Sequence, residues 1–233
     1  MTKEAEECKR RVKVIELGMF DIAAALRLVR REIRRWSVPY LSQAHVRHDP
    51  FRTLIACILS LRTKDAVTDA ASERLFAVAA TPRAILALDV PRLAQLIFPV
   101  GFYNQKARQI TEICRRLRDE FNDCVPNSIE VLLTLPGVGR KTANLVVTEA
   151  FGLPGICVDT HVHRITNRWG YVRTRTPEQT EMALRAKLPA RYWIEINRLL
   201  VTYGQHRCLP VSPICSECPL FEMCPRRGVV HQR

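Results

Sequence analysis

The sequence predicts an all-α protein, on three observations. Apolar residues recur at helical spacing through most of the 233 residues, the period that gives a helix one buried face. Capping residues stand in front of those runs, as in Thr81-Pro82, Asn104, Asn127-Ser128 and Asp159-Thr160. Strand-like alternation is almost absent, and Gly155 to Val158 is too short to build a sheet.

The elements follow in order. Val14 to Trp36 reads as one long amphipathic helix ending in Arg30, Arg31, Arg34 and Arg35, with a connector from Pro39 to Pro50. Phe51 to Leu61 is mostly apolar and reads as a buried helix, Asp65 to Ala79 as another. Thr81 caps a short helix through Leu88, and a second short helix runs from about Pro91 to Phe98. Asn104 is expected to cap Gln105 to Phe121, and Asn127 or Ser128 to cap Ile129 to Leu135. After a turn at Leu153 to Gly155 come helices near Thr160 to Trp169, Pro177 to Leu188 and Arg191 to Tyr203. From Cys208 the chain turns to Cys, Pro and short apolar residues, which cannot form a core of their own.

Composition narrows the partners. Thirty-six Lys and Arg against 23 Asp and Glu leave a formal charge of +13. Such a surface attracts polyanions, nucleic acid or anionic lipid; the plain alternative is a protein that is merely basic. No run approaches the roughly 18 apolar residues of a membrane span. The N-terminal stretch MTKEAEECKRR is neither a signal nor a transit peptide. The expectation is an intracellular protein without a membrane span, its nine cysteines reduced or metal-bound.

Residues 131–150, VLLTLPGVGRKTANLVVTEA, read as helix, tight turn, helix. Gly137 and Gly139 supply the turn, and glycines let backbone N–H groups approach a ligand at a helix N-terminus, a phosphate site. Arg140 reads as a solvated cation near such a phosphate. Lys141 has the same reading and a second one. A lysine at the positive end of a helix, beside another cation, has its neutral amine favoured, and a neutral amine can form a Schiff base. Eighteen residues on, VDTHVHRITNRWG offers Asp159 or Thr160 as a cap, with Val162, Ile165 and Trp169 on a core face. His161 and His163 are poor joint ligands, because residues two apart do not share a helix face; DNA contact or exposure remains for them.

Cys208, Cys215, Cys218 and Cys224 have the spacing C-x6-C-x2-C-x5-C. Four thiolates suit zinc or an iron–sulfur cluster, and spacing alone leaves the two open.

LPGVGRKTAN, VDTH and the cysteine spacing together resemble the endonuclease III family of helix–hairpin–helix DNA glycosylases, over about residues 45–225. The resemblance implies two helical domains with DNA between them: a six-helix domain, 43–153, and a second of 1–42 plus 154–233 holding a 4Fe–4S cluster in the loop 208–224. It implies a bifunctional DNA glycosylase and AP lyase of base excision repair, a DNA-associated monomer with no membrane partner that removes oxidised pyrimidines from duplex DNA.

 Residue by residue, it implies that Lys141 attacks the sugar and that Asp159 is the catalytic aspartate. Arg62, in ILSLRTKDAVT, stands where most relatives put a gap-filling glutamine; the alternative is a surface arginine on a turn. Phe102, in GFYNQKA, stands where the family carries an apolar wedge; the alternative is a core residue beside Asn104. Gly137, Gly139, Arg140 and His161 are assigned to DNA, and the four cysteines to the cluster. The partner is double-stranded DNA with a damaged pyrimidine or an abasic site. One departure stands out: the loop LPVSPI between the first two cluster cysteines carries no cation, leaving Arg207, Arg226 and Arg227 as the flanking charges. The rivals are a mismatch-specific or other monofunctional glycosylase of the same fold, which usually lacks this lysine, and a non-catalytic DNA-binding iron–sulfur protein.

Overall fold

The computed structural model describes residues 20–36 and 49–233, which are helical with no strand among them. Cys8, the first residues of the helix expected from Val14, most of the connector and the boundary at 43 lie outside the described residues. Within them, the first helix is α1 (Ile22–Glu32), followed by the 3-10 turn Ile33–Arg35. Asp21 caps it by accepting from the Ala24 N–H. That side chain takes one of the orphan amides of a helix start, so the described helix begins at Ile22 and is not a continuation from Val14.

Two separate apolar cores organise the rest. The first is built by α2 (Pro50–Ser60), α3 (Asp65–Val78), α4 (Pro82–Leu86), α5 (Val90–Ile97), α6 (Tyr103–Phe121), the single turn α7 (Ile129–Leu132) and α8 (Arg140–Phe151). The second joins α1 to α9 (Thr160–Arg168), α10 (Pro177–Lys187) and α11 (Ile196–His206). Val162, Ile165 and Trp169 are buried in that second core, as their spacing predicts.

Local chemistry sets the helix ends. Thr81 accepts from the Ala84 N–H with Pro82 in the first turn, and Ser128, rather than Asn127, accepts from Val131. Asp89 accepts from Arg92, starting α5 one residue before Pro91. Asn104 is not a cap: α6 starts at Tyr103, after Phe102 in the left-handed conformation at φ 60°. Helix α7 stops at Leu132, not Leu135, because the chain then turns into the glycine loop. Helix α11 starts at Ile196, after a separate 3-10 turn at Ala190–Tyr192, rather than running from Arg191.

The passage between the cores is the extended stretch 155–158. Its side chains alternate, as the period of two in extended backbone requires. Cys157 packs into the first core, while Ile156 and Val158 pack into the second. Side-chain amides pin it from both sides. Asn144 on α8 accepts from the Ile156 N–H at 3.2 Å, and Asn197 on α11 donates to the Cys157 carbonyl at 3.2 Å. A Cβ at Gly155 would stand 2.9 Å from Thr148 Cγ2. The segment too short to make a sheet is thus the joint that delivers Asp159 to the start of α9.

Candidate active-site cleft and cysteine loop

Lys141 and Asp159 line one cleft of about 380 Å³ between the two cores. Each stands at a helix start. Lys141 is exposed in the first turn of α8. Asp159 caps α9, its Oδ1 accepting from the N–H groups of His161 and Val162 at 2.9 Å each. Among the described residues the other carboxylate oxygen has no hydrogen-bond partner, so capping and a role toward a ligand are compatible. The Cys157 thiol donates to the Lys141 carbonyl at 3.6 Å, tying the lysine's turn to the passage that carries Asp159. Burial pushes the Cys57 thiol up to about 12 and that of Cys157 well above its usual value. Both are therefore neutral core residues beside the cleft, not competing nucleophiles.

The hairpin's glycines differ in what requires them. Gly137 has φ 68°, and a Cβ there would lie 1.9 Å from Gln109 Nε2, which donates to the Pro136 carbonyl at 2.8 Å. Gly139 has an ordinary φ of −95° and would meet nothing within 4 Å. No side chain caps α8, so its first amides are open to an outside ligand.

Arg140 is exposed at the start of α8 and also has a protein partner. Its guanidinium makes a two-point pair with Glu181 on α10, Nε to Oε2 at 3.0 Å and Nη2 to Oε1 at 2.6 Å. Glu181 is buried, and Arg185 and Asn144 also donate to it. The pair holds the hairpin helix to the second core. It also offsets the positive charge beside Lys141. The sequence signal for Glu181 was an acid on the buried face of α10, with Thr180 and Leu184.

Arg62 and Phe102 come together. Both are exposed and left-handed, at φ 53° and 60°, and the Arg62 guanidinium lies 5.6 Å from the Phe102 ring centre. Phe102 is 57% exposed, which excludes the core alternative. His161 is half-buried on the cleft wall, its Nδ1 facing Arg164 Nη2 at 3.1 Å; burial pushes its pKa down. Gln205, which the sequence reading passed over, bridges the two sides of the cleft by donating to Asp65 Oδ2 at 2.6 Å.

Cys208, Cys215, Cys218 and Cys224 surround one cavity. Among the described residues, no group of three or more His, Cys, Asp or Glu is placed to hold a metal ion directly. Four thiols around one cavity are a donor set that suits a metal centre. The surroundings suit thiolates. Arg168 Nη1 donates to Cys208 Sγ at 3.3 Å, and Tyr203 Oη lies 2.9 Å from Cys218 Sγ. Arg168 also donates to the Leu209 and Pro210 carbonyls at 2.6 and 2.7 Å, so a buried arginine lies under the uncharged loop. Arg207 is not available as a flanking charge: it is buried and paired with Glu32 and Glu217, each at 2.7 Å.

A family model described as HhH-GPD superfamily base excision DNA repair protein matches residues 55–190. Endonuclease III of Thermotoga maritima is 47% identical over 200 residues, covering 84% of this chain and 94% of that one. The chain belongs to the endonuclease III family. Endonuclease III of Escherichia coli K12 is 39% identical over 175 residues, covering 75% of this chain and 83% of its own. A solved trapped endonuclease III–DNA covalent intermediate superposes with a TM-score of 0.80 at 35% identity, covering 90% of this chain and 97% of its own. A thermostable thymine-DNA glycosylase, at 24% identity and a TM-score of 0.75, shares the fold. The hairpin, Lys141 and Asp159 lie within residues 55–190.

Proposed function

We propose that this base excision repair glycosylase and AP lyase removes oxidised pyrimidines from duplex DNA and cuts the strand through a Schiff base on Lys141. The observation that carries the reading is the placement of Lys141 and Asp159 in one cleft between the two cores. The domains are taken as 43–153 and 1–42 plus 154–233, with duplex DNA between them and a monomer as the working unit.

The chemistry follows from what each side chain offers. The Lys141 amine bonds to C1′ of the flipped nucleotide as the glycosidic bond breaks, and the base leaves with its electron pair. Asp159 stabilises the positive charge that develops on the sugar and helps move the protons lost by the amine and gained by the base. Ring opening gives the Schiff base. Loss of a C2′ proton then breaks the C3′–O bond, and the strand on the 3′ side of the lesion leaves with a 5′-phosphate. Flipping leaves a hole in the duplex, which Arg62 fills while Phe102 parts the neighbouring step.

The open amides of α8 take a backbone phosphate, with Gly137 and Gly139 admitting its close approach. His161 contacts DNA from the cleft wall, and Arg140 acts mainly by fixing the hairpin. The four cysteines would hold a 4Fe–4S cluster, which supplies cross-linking of a segment without a core of its own. Replacing Gly139 by Ala tests the phosphate site. The backbone there is ordinary and the space open, so the melting temperature should hold while duplex affinity falls by about tenfold or more, roughly one charge-assisted hydrogen bond.

The function itself is tested on duplexes carrying thymine glycol, an abasic site or a G·T mismatch. The reading expects base release and β-elimination ends on the first, cleavage of the second, and little action on the mismatch. Release of mismatched thymine without strand cleavage would favour the monofunctional alternative.

A further inference from the structure

Lys106 is a cation in an apolar row. On α6 it shares the buried face with Ala107, Ile110, Ile113, Cys114 and Leu117, and only 5% of it is exposed. Its ammonium donates to the carbonyls of Leu59 and Leu61 at 2.8 and 2.5 Å and lies 3.2 Å from Thr63 Oγ1. An ammonium has three donors, and all three are used. Only Leu59 belongs to the last turn of α2, whose carbonyls lack helical partners; the other two acceptors lie in the turn that carries Arg62.

The same Thr63 Oγ1 accepts from the Gly101 N–H at 3.2 Å. A Cβ at Gly101 would lie 2.6 Å from the Arg62 carbonyl oxygen. The turn with Arg62 and the loop with Phe102 are therefore knitted into one unit, with Lys106 beneath it. Both exposed side chains leave that unit from left-handed residues, which ordinary side chains adopt only when the surroundings hold them there. Burial pushes the ammonium down to about 8, so this cation sits at a desolvation cost that an apolar residue would not carry.

We propose that Lys106 is a positioning residue for opening the duplex: it presets Arg62 and Phe102 as one rigid unit. The inference rests on the gap-filling reading of those two residues. The chemistry at Lys141 and Asp159 does not depend on it.

The test compares two substrates, an abasic site in duplex DNA and the same site in a single strand, which needs no opening. Lys106→Met should lower kcat/KM on the duplex by at least about tenfold, within the hundredfold that a misplaced group costs. Cleavage of the single strand should stay within about twofold of wild type, since its chemical groups are untouched. Thr63→Val, which removes the shared hydroxyl but keeps two carbonyl contacts, should show a smaller loss of the same kind. An equal loss on both substrates, or none on the duplex, would overturn the proposal. If Lys106→Met does not fold, Thr63→Val carries the test, and unchanged duplex cleavage overturns it. A wild-type protein inactive on both substrates would sink the proposed function instead.

Discussion

Lys141→Gln is expected to lower cleavage at an abasic site by about a thousandfold or more, some 4 kcal/mol of barrier. The amine is the only group in the proposed reaction that makes a covalent bond to the sugar, and glutamine cannot replace it. The fold should not suffer. Lys141 is exposed at the start of α8, where a substitution changes stability by about 0.5 kcal/mol or less. Duplex affinity should fall by only a few-fold, because one cation among many contacts is lost. Gel analysis of a labelled abasic duplex, with binding measured at one fixed salt concentration, checks both halves. Cleavage within tenfold of wild type would mean another group bonds to the sugar.

Asp159→Asn should separate the two duties of its residue. Asparagine caps helices as well as aspartate does, and its oxygen can keep the bonds from His161 and Val162. The melting temperature should therefore hold. The negative charge is gone, and base release from thymine glycol duplex should fall by about 10²–10³-fold, the range for losing one group that stabilises developing charge. Asp159→Ala should add a stability loss of about 1 kcal/mol from the missing cap. A fall in stability as large in the Asn variant as in the Ala variant, with base release intact, would leave Asp159 a cap and nothing more.

Much of this was legible in the chain because the information is local. The cap at Ser128, the turn at Gly137 and the core row of Val162, Ile165 and Trp169 each depend on a few neighbouring residues. The four cysteines sit within one short loop, so their spacing already brought them together. What sequence order could not convey was partnership across the fold. Arg140 meets Glu181 41 residues away, and Arg207 meets Glu32 175 residues away; both looked like free cations. Phe102 capping α6 from a left-handed backbone was hidden too, since Asn104 is the better cap by type. Lys106 did leave a trace, as one charge in an otherwise apolar helical row, but its three acceptors lie more than 40 residues upstream.

The central claim is that Lys141 is the amine that bonds to the sugar. Borohydride reduction of the wild-type protein on an abasic duplex, followed by digestion and mass spectrometry of the DNA-linked peptide, tests it most directly. The account predicts one cross-link, on Lys141, absent from Lys141→Gln. A cross-link on another amine, or base release from thymine glycol duplex with no cross-link at all, would contradict it.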